Sequence, residues 1–235
     1  MIRQSRLGAG MAFSRISGIA ALGFAFLIVL GNVITVPAGM PLTGADVGEV
    51  DAFFGAEGDA VAAGSVLTPA AWVLATLFGA GAVSALRRSE RDRGDAWSLL
   101  GFAGLVLQNA AFAAVIALRL ALVSVAGGHD GATSALWALH DALFTLNGTF
   151  LALALVGLSV GGLRAGLIRP WHGTLGLVSA ALLFSSATLT PWIIDEAGPL
   201  GRLGLVGWLM WVVWLLAYGA ALIRSPRSCA TEPVR

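Results

Sequence analysis

The chain has 235 residues, 57% of them hydrophobic and 11% charged, and its mean hydropathy is +0.85. Those proportions lie far outside the soluble globular range, and they exclude a water-soluble enzyme or a nucleic-acid-binding domain. The formal net charge of +1 carries no information as a total; its distribution along the chain does.

Residues 1 to 15 form a basic segment with Arg3, Arg6 and Arg15, followed by an apolar run at 16–38 that contains Asn32. A cleaved signal peptide is the rival reading, since Val36-Pro37-Ala38 before Gly39 suits a peptidase. The run is longer than the about 7 to 15 residues of a signal h-region, so an uncleaved first span is the better reading. Residues 39–65 carry Asp46, Glu49, Asp51, Glu57 and Asp59 with no positive charge. They are predicted to form a solvated, flexible outer loop whose carboxylate spacing does not match an EF-hand. Further apolar runs follow at 66–86, 97–126, 136–162, 173–193 and 203–223, and a tail at 225–235 carries Cys229. A span needs about 20 apolar residues to cross roughly 30 Å of hydrocarbon, and all six runs qualify. Lipid offers no hydrogen-bond partners, so each run must close its own backbone bonds as a helix. The predicted fold is an all-α bundle of six transmembrane helices spanning 16–224.

Orientation comes from arginine, because the chain has no lysine. Twelve of the 14 arginines precede span one or follow spans two, four and six, including Arg87, Arg88, Arg91, Arg93, Arg164, Arg169, Arg224, Arg227 and Arg235. The opposite loops hold Arg202 alone, and Arg119 lies inside a span. The positive-inside rule then puts both termini in the cytoplasm and sets the arginine face against anionic headgroups. A single cysteine excludes an intrachain disulfide and any cysteine-built metal site.

Charged side chains inside lipid are costly, so the polar residues of the spans are the candidate site. Span three carries Gln108, Asn109 and Arg119, and span four carries His140, Asp141, Thr145, Asn147 and Thr149. Spans three and four run in opposite directions, so Arg119 and Asp141 fall at similar depth, with Asn32 of span one near the same level. The eleven-residue step from Gln108 to Arg119 and the seven-residue step from His140 to Asn147 each keep to one helical face. A polar seam between spans three and four results. One reading makes it an ion pair with amide bonds that fix helix register. The other makes it an outward-facing pocket in which Arg119 attracts an anionic group while His140 and Asp141 exchange protons. Haem ligation by His140 has no support, since His129 and His172 lie outside the membrane interior. No cofactor, metal or catalytic residue is predicted.

Gly157-Leu158-Ser159-Val160-Gly161 reads GxSxG, and an intramembrane hydrolase with His172 as base is the third functional reading. A nucleophile elbow needs a strand, a sharp turn and a helix, whereas this stretch lies within a helical span. Asn147-Gly148-Thr149 is a glycosylation sequon at mid-membrane, where no transfer occurs, and Arg93-Gly94-Asp95 is a loop tripeptide without further meaning. Gly157/Gly161, Ala75/Gly79 and Gly176/Ala180 have the small-residue spacing of closely packed helices, within the bundle or across a homo-oligomer. Trp208, Trp211, Trp214 and Tyr218 fall on an arc of about 120° of span six, suited to packing, to lipid, or to a flat apolar ligand. Trp97 and Trp171 at one interface, and Trp137 and Trp192 at the other, read as aromatic belts.

The segment LWALHDALFTLNGTFLALALVGLSVGGLRAGLIRPWHGTLGLVSAALL and the later GWLMWVVWLLAYGAALIR, with the turn RAGLIRPWHG between two Gly-rich spans, resemble the uncharacterised six-span integral membrane proteins of GC-rich bacteria. The resemblance covers about residues 136 to 224, and it implies a helical bundle in a bacterial plasma membrane. It implies no activity and no site residue. The expected function is non-catalytic binding or transport of a small or lipid-like solute at the polar seam. A scaffold or accessory subunit that meets a membrane-protein partner is the alternative.

Overall fold

The computed structural model describes residues 2–128, 130–195 and 198–224; His129 and the tail with Arg227, Cys229 and Arg235 lie outside them, as do the side chains of Arg3 and Arg6. The described residues are helical with short turns: α1 (Ile2–Thr35), α2 (Val47–Ala56), α3 (Gly58–Val66), α4 (Thr68–Arg93), α5 (Trp97–Val125), α6 (Asp130–Leu146), α7 (Gly148–Arg164), α8 (Pro170–Thr188), α9 (Thr190–Ile193) and α10 (Gly201–Arg224). Five stretches are long and apolar enough to cross a membrane: Phe13–Thr35, Gly58–Arg93, Trp97–Val125, Gly131–Arg164 and Gly201–Arg224. The protein is a multi-pass helical membrane protein. The run at 173–193 is not among the five. Its helix α8 opens on Pro170-Trp171-His172-Gly173-Thr174, which adds little apolar character, and ends before Thr190-Pro191.

The long helices close a ring in chain order: α1 packs on α4, α4 on α5, α5 on α7, α7 on α8, α8 on α10, and α10 returns to α1. Its ends are set by local sequence. At the end of α4 the chain turns at Gly94, φ +71°, where the Asp95 amide donates to the Glu90 carbonyl (2.9 Å). At the end of α7, Gly166 (φ +66°) does the same, with the Leu167 amide donating to the Gly162 carbonyl (2.9 Å). Both are Schellman turns, for which glycine is favoured because a side chain is strained at positive φ. The RGD tripeptide is thus a helix stop.

Small residues let these helices touch backbone to backbone. A methyl on Gly157 would lie 2.6 Å from the Gly101 Cα and 2.6 Å from the Trp97 carbonyl oxygen, so α5 and α7 meet at a glycine crossing. Gly161 faces Leu86 and Glu90 of α4, Gly79 faces Phe102 and Leu105, and Gly176 faces Ser159 and Trp214. The three small-residue pairs therefore serve contacts inside the chain. Around them lies the main core, with Phe24, Phe78, Leu155, Leu158, Trp211, Trp214, Leu215, Tyr218 and Leu222 buried. Phe78 meets Tyr218 edge-on at 5.6 Å, and Phe24 meets Trp211 at 5.6 Å.

The segment expected to be a flexible acidic loop is instead a packed cap. Helices α2 and α3 bury Val50, Phe53, Phe54 and Val61 against Leu122 and Trp137 in a second core. Two of its carboxylates are used internally. Asp46 caps α2 by accepting from the Gly48 amide (2.8 Å), and Asp51 accepts from the Gly127 amide (3.1 Å) and the Thr133 hydroxyl (3.1 Å). Burying two adjacent phenylalanines and Val50 outweighs the acidic character of the segment, because each large apolar side chain removed from water contributes about 1.5–3 kcal/mol. Trp137 is 4% exposed in this core, so it is not a belt residue.

Candidate functional site

The predicted fourth span runs through α6 and α7, which meet at Asn147, where the Asn147 amide still donates to the Leu143 carbonyl (3.0 Å) and the Leu151 amide to the Asn147 carbonyl (3.2 Å). Helix α6 presents Trp137, His140, Asp141 and Phe144 one turn apart, and α5 presents Arg119 three residues from the buried Ile116 and Leu122. These elements bring three of the predicted residues into one hydrogen-bonded line. The Arg119 Nε–H donates to His140 Nε2 (3.1 Å), and His140 Nδ1 is 3.0 Å from Asp141 Oδ1. The other carboxylate oxygen of Asp141, Oδ2, accepts from the Gly44 amide of the cap (2.8 Å), and the Thr145 hydroxyl donates to the Asp141 carbonyl (2.8 Å).

The pattern fixes the state of the imidazole. Arginine has only donors and an ionised carboxylate only acceptors, so Nε2 must carry the lone pair and Nδ1 the proton. A neutral His140 thus sits between a guanidinium and a carboxylate. Its ring is stacked on Trp137 at 4.6 Å and 11°, and on Phe144 at 5.9 Å and 7°. His140 and Asp141 are each 2% exposed, whereas Arg119 is half-buried. Among the described residues Arg119 uses only Nε and its two terminal nitrogens bond nothing; the guanidinium carbon Cζ lies over Phe144, 5.9 Å from the ring centre. The sequence reading of Arg119 and Asp141 as a direct ion pair is corrected: the histidine stands between them.

The other predicted members are elsewhere. Asn32 is exposed, donates to the Ile28 carbonyl of its own helix (2.9 Å), and lines an apolar groove of about 480 Å³ between α1 and α10, with Val29, Val33, Trp208 and Val212. Depth placed it near the seam, but its face of α1 points away. Gln108 and Asn147 are buried with their side-chain oxygens unpaired, and neither joins the line to Arg119. The aromatic stripe is core: Trp211, Trp214 and Tyr218 are at most 3% exposed, and only Trp208 reaches the groove. Ser159 is fully buried with its hydroxyl unpaired, and His172 donates its Nε2–H to the Trp214 carbonyl (3.0 Å) instead. The hydrolase reading therefore lacks its nucleophile–base bond. Among the described residues no three His, Cys, Asp or Glu side chains gather as a metal site.

Two polar groupings at the arginine-rich end escaped the sequence reading. Glu90, 4% exposed, accepts from both the amide and the hydroxyl of Ser98 (2.6 Å to the amide), so a carboxylate from α4 caps the start of α5. Asp95 accepts from Arg164 (2.9 Å) and Arg93 (3.1 Å), and Arg164 lies over Trp97. The hydrogen bonds from Arg164, then Arg93, hold the Asp95 carboxyl below its ordinary value. The one available signal was the i, i+8 spacing of Glu90 and Ser98 across the Gly94 turn.

No family model, no curated protein and no solved structure matches this chain.

Proposed function

We propose that the chain spans a bacterial plasma membrane six times with both termini in the cytoplasm, and binds or moves a small or lipid-like solute at Arg119, His140 and Asp141. In this reading α8 is the fifth of the six spans, held between α7 and α10. The observation that carries the reading is the half-buried Arg119, anchored by Nε alone and presenting two unpaired terminal nitrogens beside the 40%-exposed Phe144. Such a guanidinium edge suits an oxyanion, and the ring suits an apolar body attached to it. Arg119 lies six residues, about 9 Å, from the end of α5, within snorkelling reach of the outer interface. The test compares thermal stabilisation of the detergent-purified protein by hexanesulfonate and by hexanol. Stabilisation by the anion alone, lost in Arg119→Gln, supports the reading; equal response to both, or none, overturns it.

A second reading has its own observation. Arg87, Arg88, Arg91 and Arg169 are exposed and form no ion pair among the described residues. They favour an accessory subunit whose arginine face meets an acidic partner, and co-purification after mild cross-linking tests it.

A further inference from the structure

We propose that the Arg119 site takes up one proton with each monoanion it binds, and that His140 is where the proton goes. The inference rests on the binding reading above and adds to it the ligand class, an amphiphilic monoanion, and its coupling to pH.

The argument is one of charge and donor geometry. The line holds one guanidinium, one neutral imidazole and one carboxylate, so it is electrically balanced, and Asp141 and His140 are almost entirely withdrawn from solvent. Adding a monoanion would leave one uncompensated negative charge in a low-dielectric setting, which is unfavourable unless a cation enters too. The candidates to supply it are few. Helix α5 contributes no titratable group but Arg119, which is already charged. From the cap, Asp51 is held by Gly127 and Thr133, Asp46 by Gly48, and Glu49 is exposed. Helix α9 has no titratable group, and on α7 and α8 Arg164 and His172 lie at the arginine-rich end. Within the line both Asp141 oxygens already accept, from the His140 Nδ1–H and the Gly44 amide, so Nε2 of His140 is where a proton is added.

Its position also makes the two events chemically dependent. Nε2 accepts from Arg119, so a proton on Nε2 would face the Arg119 N–H donor head-on. An anion that puts one oxygen on a terminal nitrogen of Arg119 and another on its Nε–H, in place of Nε2, removes the conflict, since the second oxygen can also accept from a protonated Nε2. The Nδ1–H stays on Asp141, whose full charge then faces an imidazolium. No covalent bond changes except in the transfer of one proton from solvent to Nε2, and the Arg119–His140 hydrogen bond is exchanged for bonds from both to the anion. The headgroup of an anionic phospholipid and a free amphiphilic anion share the required chemistry.

The experiment is calorimetric titration of the full chain, in nanodiscs of zwitterionic lipid, with hexanesulfonate. That anion cannot itself be protonated at working pH. Titrations in two non-anionic buffers of different ionisation enthalpy give the protons taken up per anion bound. Uptake approaching one, with the apparent Kd rising about tenfold per pH unit through the neutral range, supports the proposal. Binding with no uptake and no pH dependence overturns it and leaves the binding reading standing; no binding overturns both. His140→Gln, which keeps an acceptor for Arg119, is expected to bind with a flat pH profile, and persistent uptake in it would place the proton elsewhere. Repeating the wild-type titration with phosphatidylglycerol in the disc separates the two sources. Weaker sulfonate binding there identifies the lipid phosphate as a competitor at the same guanidinium. Unchanged binding assigns the site to free anions.

Discussion

Replacing Arg119 and Asp141 by leucine, singly and together, tests whether the line Arg119–His140–Asp141 acts as one unit. The two bonds of 3.1 and 3.0 Å with the imidazole between them put the opposite charges on the order of 8 Å apart, worth about 2 kcal/mol at an effective dielectric near 20. Asp141→Leu also strips the acceptor from the His140 N–H and the Gly44 N–H, each costing about 1–3 kcal/mol when buried. The expected loss is about 4 kcal/mol, within the roughly 3–5 kcal/mol seen on breaking buried pairs. Arg119→Leu removes the same charge attraction and leaves His140 Nε2 without a donor, for an expected loss of about 3 kcal/mol. The double variant no longer strands a charge, so it should lose about 5 rather than 7 kcal/mol, the shortfall being the shared attraction. The assay is reversible unfolding in mixed micelles titrated with dodecyl sulfate, followed by circular dichroism. Losses that add to within about 0.5 kcal/mol would refute the coupling, and unaltered single variants would mean that both charges are hydrated.

Gly157→Ala should destabilise, because overpacking against the Gly101 and Trp97 backbone costs typically 1–3 kcal/mol and exceeds the about 1 kcal/mol gained in helix propensity; Gly161→Ala, whose nearest neighbour is the flexible Leu86 side chain at 3.1 Å, should lose less in the same unfolding assay. Phe54→Ala should cost about 3–5 kcal/mol locally, seen as faster hydrogen exchange through 47–66 with the amides around Trp214 unchanged. The Asp95 carboxyl is held below its ordinary 3.8 in the folded chain, so its contribution is present above that pH and is lost as pH falls through the folded value. Asp95→Asn should therefore lower the unfolding midpoint slightly at neutral pH, with wild type and variant converging as the pH falls below about 4.

The apolar stretches were legible because run length and the need to close backbone bonds leave few choices in lipid. The meeting of Arg119 with His140 and Asp141 was legible from depth, which follows from counting residues along two opposed helices. Rotation about the helix axis was not. Asn32 has a depth similar to the seam, but its sequence does not say whether its face meets α10 or α5. The stripe of Trp208, Trp211, Trp214 and Tyr218 had the same ambiguity, because core and lipid are both apolar and periodicity separates them poorly. The cap was misread for a different reason. Its carboxylates and alanines look like a solvated loop, although Val50, Phe53 and Phe54 already stood at helical spacing on one face. The interposed histidine could not be foreseen, since it depends on which rotamers of neighbouring His140 and Asp141 the stacked rings allow.

The form of the relay bears on which functional reading it serves. A pair retained only to fix helix register is best built from the guanidinium fork laid directly on a carboxylate, with both bonds made and the charge enclosed. Here the fork is not used that way. Arg119 reaches His140 through Nε alone, the carboxylate spends its second oxygen on Gly44 of the cap, and the terminal nitrogens are left without a partner beside Phe144. The stacked imidazole, meanwhile, is held so firmly by Trp137, Phe144 and Asp141 that it positions the guanidinium without occupying its binding edge. The costs of burial thus fall on Asp141 and His140, while Arg119 keeps the donors an arriving anion would need. That asymmetry favours a binding site over a structural pair, and it makes the loss of anion binding in Arg119→Gln a sharper test than any loss of stability.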